Sequence, residues 1–469
     1  MAEIIKRKKA LSVSPLKSSS TIGAALAFMG VSRTIPMLHG SQGCSAFGKV
    51  FFVRHFREPI PLQTTAMDQV SAVMGSYENV VEGVKTICEN SAPHMVGIPT
   101  TGLSETQGVD INMAVKEFRK KYPEYDHIPV VPVNTPDYSG CLETGFAQAV
   151  LAMLKTLVKP RKGVVRKKQV TVLAGSHLTP GDIEEIKDIV EMFGLRPVVF
   201  PDLSTALDGH LPEFDFSPLS VGGTPVDEIL SINASAATLV VGRSLTEAAD
   251  WLKEETGIVD YRFDHLFGLQ AVDELIMALR EISGKEVPEK LERQRAQLQD
   301  AMLDTHFMLG MSRLAFAGNP DLIYGMSKFL ETIGGETCVA VSPINADILK
   351  EIPTDFVKIG DLEDLEVLSA DKNLDVIISN SHAVDTAARL GVPILRCGFP
   401  QWDLIGGYQK TWVGYRGGRQ VLFDLANLQL ENHKGEVKPY KSIYGQKPEY
   451  TKGQDNGTTE KVDHHGYCH

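Results

Sequence analysis

Short apolar runs rich in β-branched residues alternate along the chain with helix-like patterns. Each run is followed by a turn containing Gly, Pro or Asn and then by apolar residues at helical spacing. The runs that predict strands are 94–98, 128–133, 170–174, 197–199, 238–241, 314–317, 337–341, 376–378 and 393–395. Strands that alternate with helices form parallel sheets joined by crossovers. The pattern therefore predicts an α/β fold with mainly parallel sheets flanked by helices.

Two segments interrupt this alternation and divide the chain. A basic, Pro-containing stretch at 159–168 is typical of a linker, and 288–310 predicts a long helix. The apolar stripe of that helix is Leu291, Leu298, Met302 and Leu309. We expect three Rossmann-like domains, at 1–162, 163–300 and 301–437. The total of 469 residues agrees with this division at roughly 150 residues per domain.

The last part of the chain differs in composition from the rest. From 438 to 469 it is polar and poor in aliphatic residues, which predicts a flexible tail. The tail carries His464, His465, Cys468 and His469. A frayed end explains this group better than a zinc or nickel site.

Charge and hydropathy exclude two classes of protein. The 47 basic and 59 acidic side chains give a net charge of −12, which argues against a nucleic-acid binder held by phosphate contacts. A membrane span is not expected, since even the apolar stretch at 149–158 is broken by Lys155. The basic cluster at 6–9 is followed by Pro15 and Lys17 rather than by a continuous apolar stretch, so it predicts a solvated arm and not a signal peptide. We expect a soluble, cytoplasmic protein.

Cysteine usage favours reduced thiols over a disulfide framework. The six cysteines are scattered without a CxxC pair, so a complete metal site from this chain alone would be hard to assemble. Cys88 lies on a helical apolar stripe, and Cys338 and Cys397 lie in or beside strands, as packing residues do. Cys141 follows the turn at 134–140 without a partner at ligand spacing.

The segment His-Gly-Ser-Gln-Gly-Cys at 39–44 is the best candidate for chemistry. Glycine lets a backbone approach a bulky ligand and present N–H groups to it, as a cluster sulfide or thiolate requires. From the residues alone, however, Cys44 fits an inert buried thiol better than a metal or redox ligand. Downstream, Arg54 and Arg57 either neutralise an anionic cofactor or pair with Glu58.

No catalytic residue is assigned from the sequence. The turns at 175–177 and 318–320 each lead from a strand into a helix, where backbone amides can meet an anion. Neither turn matches GxGxxG or GxxxxGK[ST], so a nucleotide site has weak support. The chain shows neither a Ser-His-Asp arrangement nor an HExxH zinc helix.

Three motifs in order change this interpretation: HGSQGC at 39–44, RHFREP at 54–59 and GFP at 398–400. Together with matches at 17–30, 34–36 and 318–321, they make the sequence similar to the nitrogenase molybdenum–iron protein family over nearly its whole length. The resemblance implies a fold of the nitrogenase component 1 type. Within the family the chain most resembles a subunit of the scaffold on which the iron–molybdenum cofactor is completed.

The chain departs from the catalytic β subunit of that family at two cysteine positions. In the catalytic subunit three cysteines bind an eight-iron P-cluster. Here the first position falls at or beside Ser19, the third becomes Gly102, and Cys44 alone is retained. Serine and glycine cannot replace thiolates in holding an eight-iron cluster, so we expect no dinitrogen reduction.

The resemblance implies a smaller, shared iron–sulfur site. Cys44 would be a metal ligand of a [4Fe–4S] cluster whose other three ligands come from the α-like subunit NifE across the interface. His39, Gly43, Arg54 and Arg57 would surround this cluster without ligating it. The cofactor precursor would be held mainly by the partner, in an α2β2 heterotetramer.

Further partners follow from the same resemblance. The nitrogenase iron protein would deliver electrons and metal, and another protein would donate the precursor. Asp137 could place an oxygen near the same interface. Two rival interpretations stay open, namely a catalytic subunit of nitrogenase or of protochlorophyllide reductase, and a cluster-free binding module in which Cys44 is structural.

Overall fold

A computed structural model describes residues 1–432 except 8, 10, 11, 161–165 and 212–216. The strands are β1 Glu3–Ile5, β2 Thr34–Leu38, β3 Gln63–Thr64, β4 Met95–Pro99, β5 Val130–Val133, β6 Arg166–Ala174, β7 Arg196–Phe200, β8 Ser235–Val241, β9 Asp260–Phe263, β10 Arg313–Ala317, β11 Glu336–Ser342, β12 Phe356–Ile359, β13 Val376–Ser379 and β14 Ile394–Arg396. The helices are α1 Ser20–Met29, α2 Gln42–Phe56, α3 Gln69–Met74, α4 Tyr77–Ser91, α5 Gly102–Thr106, α6 Ile111–Lys121, α7 Leu142–Leu157, α8 Pro180–Met192, α9 Val226–Leu230, α10 Thr246–Thr256, α11 Gly268–Ser283, α12 Glu289–Leu309, α13 Pro320–Glu331, α14 Leu362–Ser369, α15 Val384–Leu390 and α16 Gly414–Asn432.

The strands form three sheets, and every pairing between named strands is parallel. Their orders are β3-β2-β4-β5, β7-β6-β8-β9 and β1-β12-β11-β10-β13-β14. Helices connect the strands and cover the sheets, because parallel neighbours need crossover connections. The predicted α/β fold with parallel sheets is confirmed. Apart from β1, the strands of each sheet fall within one predicted domain. We call the three sheets with their helices, in the order given, the first, second and third units. The exact domain bounds stay a prediction.

The N-terminal arm does not behave as predicted. β1 pairs with β12 in register Glu3↔Phe356, which adds it to the sheet of the third unit. The Lys9 ammonium donates to Asp361 Oδ1 at 2.7 Å. The expectation of a solvated arm is wrong because backbone pairing and acidic partners fix this basic segment on a distant part of the chain.

The two predicted divisions have different outcomes. Of the predicted linker, 161–165 lie outside the described residues, but β6 already begins at Arg166, so the end of the predicted linker is a strand. The long helix is confirmed as α12, which begins after Pro288 and ends before Gly310. Its stripe residues Leu291, Leu298 and Leu309 are buried, and α16 packs against it. The predicted tail lies outside the described part of the chain.

The central helix α1 is buried along its whole length and crosses α7 at very short range. A Cβ on Gly23 would lie 1.8 Å from the carbonyl oxygen of Leu142, and one on Gly145 would lie 1.8 Å from that of Ser20. Any side chain at either position would therefore force the helices apart. This contact places the start of α1 beside the start of α7.

Among the described residues, each helix is too short or too polar to cross a lipid bilayer.

Candidate functional site

The HGSQGC segment forms the turn from β2 into α2. Gly40 is required there, since a Cβ would lie 2.6 Å from Thr101 Oγ1. Ser41 caps the helix in an extended conformation, and the Cys44 N–H donates to the Ser41 carbonyl at 3.2 Å. Cys44 therefore lies in the first turn of a 15-residue helix, at the positive end of the helix dipole.

The Cys44 thiol is half-buried and lines a cavity of about 340 Å³. Its sulfur lies 3.5 Å from Ser41 Oγ. The other lining residues come from five segments of the first unit and are Lys17, Ser18, Ser19, Thr21, Ile22, Leu38, Phe47, Gly48, Phe51, Thr101 and Asp137. The cavity thus presents one thiol together with a few polar and charged groups.

Asp137 connects the segments around this cavity. Its Oδ1 accepts from Thr21 Oγ1 at 3.1 Å, and its Oδ2 accepts from the Gly102 N–H at 3.1 Å. Its backbone carbonyl accepts from Lys17 Nζ at 2.7 Å. The structure therefore places Asp137 in the same cavity as Cys44, and the carboxylate holds the starts of α1 and α5 in place.

The two positions where the resemblance to the catalytic subunit would imply cysteines are at this cavity or beside it. Ser19 lines it and caps α1, with Oγ accepting from the Ile22 N–H at 3.3 Å. Gly102 adjoins it, since a Cβ there would lie 3.4 Å from Asp137. At these two positions this chain has a hydroxyl group on the cavity and an unsubstituted backbone beside it.

His39 supports the loop from behind. Its Nδ1 lies 3.0 Å from Thr65 Oγ1, and its Nε2 lies 3.1 Å from Ser76 Oγ. Its carbonyl accepts from Ser104 Oγ at 2.8 Å. Burial lowers the pKa of His39 to about 4, so the ring is neutral at physiological pH. His39 thus anchors the turn into α2 against α5.

Gly43 faces outward beside Cys44. It is exposed, and the atom nearest to a Cβ added at this position would be Ser41 Oγ at 3.8 Å. Neither packing against the described residues nor a positive φ requires a glycine here. The free space above Gly43 allows another molecule to approach the backbone.

Arg54 and Arg57 lie at the opposite end of α2. At 1.5 Å per residue they are roughly 15 and 20 Å along the helix axis from Cys44. The Arg54 guanidinium lies over the Trp402 ring at 5.2 Å, and an Arg57 N–H donates to the Trp402 carbonyl at 2.7 Å. Glu58 accepts from the Gly209 N–H. The structure does not bring either arginine to Cys44.

Instead, the RHFREP motif packs against the GFP motif. His55 Nδ1 accepts from the Gln401 N–H at 2.9 Å, and its ring contacts Phe56 and Phe399 edge-on. Burial lowers the pKa of His55 to about 3. These two motifs join α2 to the third unit.

None of the remaining described cysteines lines the Cys44 cavity. Burial raises the pKa of Cys141 and Cys397 to about 12 and that of Cys88 to about 11, so these thiols stay protonated. Cys141 is fully buried at the start of α7. Within the part of the chain that the structure describes, no three His, Cys, Asp or Glu side chains converge as metal ligands.

A buried acidic pair, Glu143 and Asp321, lies between the units and was not predicted from the sequence. Glu143 Oε2 accepts from the Asp321 N–H at 3.0 Å, and Asp321 Oδ2 accepts from the Ser244 N–H at 3.0 Å. The sequence marks the turn at 318–320 as a place where backbone amides could bind an anion. In the structure the Glu143 carboxylate lies at the start of the helix that follows this turn. Burial raises the pKa of Glu143 and raises that of Asp321 to about 6. The sequence feature that could have indicated this pair is Glu143, a glutamate in the first turn of the apolar helix α7.

Apolar side chains are exposed around Cys44. On α2 they are Phe47, Val50 and Val53, and Phe47 is 71% exposed. Leu103 and Tyr138, which follow Gly102 and Asp137, are exposed as well. Contiguous exposed apolar groups are typical of a surface that another protein covers.

Comparisons with known proteins agree with this architecture. The family model described as "Nitrogenase component 1 type Oxidoreductase" matches residues 19–430. The solved structure of nitrogenase Cp1 at pH 6.5 is 30% identical, with a TM-score of 0.87, and the match covers 93% of this chain and 97% of that one. A nitrogenase Cp1 structure at pH 5, 15% identical with a TM-score of 0.71, shares the fold.

Curated relatives match over almost the full length. A protein of Nostoc sp. (strain PCC 7120) named nitrogenase iron-molybdenum cofactor biosynthesis protein NifN is 44% identical over 440 residues, covering 94% of this chain and 98% of the relative. A protein of the same name from Klebsiella pneumoniae is 41% identical over 450 residues, covering 96% and 97%.

Proposed function

The chain belongs to the nitrogenase component 1 type oxidoreductase family and, within it, to the NifN group, and from this premise we propose that it is one subunit of the scaffold that assembles the iron–molybdenum cofactor of nitrogenase. In this proposal the chain holds part of an iron–sulfur cluster at the interface with an α-like partner, NifE. The partner holds most of the cofactor precursor while molybdenum and homocitrate are inserted.

The observation that carries the proposal is the position of Cys44. Its half-buried thiol lies in the first turn of α2 and lines a cavity beside exposed apolar residues. The positive end of the helix dipole favours an anionic group nearby, and the open backbone at Gly43 leaves room for an approaching cluster. The donor and its surroundings therefore fit one ligand of an iron–sulfur cluster.

The number of ligands supports a shared site. A [4Fe–4S] cluster is held by four thiolates. If this chain supplies Cys44, the other three must come from another polypeptide. Phe47, Val50, Val53, Leu103 and Tyr138 would then be buried when that polypeptide binds. Cluster binding and subunit association would depend on each other.

Ser19 and Gly102 favour a scaffold over a catalytic subunit. An eight-iron cluster would need thiolates where the cavity has a hydroxyl group and a glycine, whose N–H is already bonded to Asp137. The observed donors support one thiolate from this side. The same set of donors disfavours dinitrogen reduction by a complex containing this chain.

When bound, the cluster would supply one-electron transfer. Cys44 would hold it from one side, and the loops fixed by His39 and Asp137 would keep the thiol in position. We propose the nitrogenase iron protein as the electron and metal donor and a separate protein as the precursor donor. Arg54 and Arg57 would act at the junction with the third unit and not at the cluster.

The test is co-expression of the chain with its α-like partner, followed by iron analysis and electron paramagnetic resonance of the reduced complex. We expect a [4Fe–4S] signal that is lost in Cys44→Ala, while Cys338→Ala, which alters another partly buried thiol, keeps it. An iron-free wild-type complex, or full iron in Cys44→Ala, would support the cluster-free module. A P-cluster signal would support the catalytic alternative.

A further inference from the structure

Lys17 is the positively charged residue among the side chains that line the Cys44 cavity. It is partly buried, and its ammonium donates to the backbone carbonyl of Asp137 at 2.7 Å. Within the described ranges it forms no ion pair. Burial lowers the pKa of Lys17, which reflects the cost of holding a charge away from water.

The neighbouring Asp137 carboxylate attracts this charge but forms no direct ion pair with it. Asp137 Oδ1 accepts from Thr21 Oγ1, and Oδ2 accepts from the Gly102 N–H, whereas Lys17 bonds to the Asp137 backbone. The ammonium therefore keeps donors free on its other sides. A partly buried cation without a direct ion-pair partner is stabilised further by an anion that comes into contact with it.

A thiolate-ligated iron–sulfur cluster is such an anion, and reduction adds one further negative charge to it. Its reduction potential depends on nearby charges, hydrogen bonds and solvent exposure. A cation in the same cavity stabilises the reduced cluster more than the oxidised one. Because burial lowers the effective dielectric constant, the charge acts more strongly there than at an exposed surface.

We propose that Lys17 sets the reduction potential of the cluster held by Cys44, by acting as its counter-charge across the cavity. This inference rests on the proposed function and adds a residue to it. Asp137 then has a structural role. Its backbone carbonyl orients the Lys17 ammonium, and its carboxylate holds the starts of α1 and α5 in place.

The test is a redox titration of the purified complex with its α-like partner, followed by electron paramagnetic resonance. Lys17→Gln removes the charge but retains an amide that can donate to the Asp137 carbonyl, and Lys17→Arg retains the charge. Lys49→Gln removes a charge from the exposed face of α2 as a matched control. In Lys17→Gln we expect the reduced-to-oxidised ratio at a fixed potential to fall about tenfold, equivalent to about 59 mV for one electron.

We expect Lys17→Arg and Lys49→Gln to stay near the wild-type potential. Loss of iron from Lys17→Gln alone would also support a counter-charge. A wild-type potential in iron-loaded Lys17→Gln would overturn the proposal, and so would equal loss of iron from the Gln and Arg variants, since Lys17 would then be a structural tether. An iron-free wild-type complex would instead overturn the proposed function.

Discussion

Cys44 and Gly43 occupy adjacent positions in the first turn of α2, with opposite relations to the rest of the chain. The cysteine is half-buried and turned to the cavity, whereas the glycine is exposed and has no close neighbour. A glycine costs stability in a helix, and nothing in the described part of the chain requires it at this position. The proposed shared cluster gives a reason for it, because a side chain here would project toward the approaching group.

Gly43→Ala separates the requirements of the fold from those of the interface. We expect unchanged or slightly higher thermal stability, because the new Cβ has room and alanine favours the helix by up to about 1 kcal/mol. We also expect less iron in the co-expressed complex, because the methyl group projects toward the shared site. Thermal unfolding and iron analysis of the same preparation check both parts. Full iron content would show that no close approach occurs at Gly43.

The contact between α1 and α7 determines where Ser19 and the start of α7 lie. Gly23 and Gly145 let the two backbones touch, and Ser19, at the N-terminal end of α1, then lies on the cavity. Small residues at a helix crossing are thus as important for the site as the residues that line it.

Gly145→Ala tests this crossing. The added Cβ would lie 1.8 Å from the Ser20 carbonyl oxygen, so the helices must move apart. We expect a loss of about 1–3 kcal/mol in the free energy of unfolding, larger than the gain in helix propensity. The shift of the urea midpoint measures it, with Gly43→Ala as the control for a glycine-to-alanine change in a helix. A midpoint at or above that of the wild type would refute the close contact.

Strands buried on both faces are predictable from sequence, and strands with weak apolar patterns are not. The apolar run at 170–174 lies in the centre of a sheet as part of β6, as its pattern predicts. The edge strand β9 has the sequence Asp-Tyr-Arg-Phe, which lacks such a pattern. β2 also escapes prediction, because Pro36 argues against a strand. The structure tolerates Pro36 because β3 is short. It pairs only with Met37 and Leu38 of β2, so Pro36 has no partner residue on that side.

The candidate site could be predicted only in part. The glycines around Cys44 mark a loop whose backbone a ligand could approach. The resemblance to a family then suggests what that ligand is. The cavity itself joins Lys17 to Asp137, 120 residues apart in sequence, and no local pattern carries such information. The contacts of Arg54 and Arg57 with Trp402 were unpredictable for the same reason.

At the scale of the whole molecule, the units meet at a buried acidic pair. Glu143 from α7 bonds to Asp321 at the start of α13, and Asp321 bonds to Ser244, which precedes α10. Each residue belongs to a different predicted domain. Nearby, both ring nitrogens of buried His177 are without a partner among the described residues. We therefore expect the stability of this junction to depend on pH.

Asp321→Asn tests this dependence. Burial raises the pKa of Asp321 from 3.8 to about 6, so in that window the folded state binds more protons than the unfolded state. The contribution of Asp321 to stability therefore falls as pH rises through the window. Asparagine keeps an oxygen for the Ser244 N–H but does not ionise. We expect the melting temperature of the variant, relative to the wild type, to increase as the pH rises from 4 to 6.5.

The comparison at each pH removes contributions common to both proteins, including that of His177, whose pKa burial lowers to about 3. A difference in melting temperature that stays constant across this pH range would show that Asp321 does not titrate there.

The most direct measurement is an anomalous difference map at the iron edge from crystals of the complex with the α-like partner. We expect a compact iron peak at the subunit interface, within bonding distance of Cys44 Sγ and enclosed on its other sides by partner cysteines. An iron peak remote from Cys44, or an interface without iron, would contradict the shared cluster.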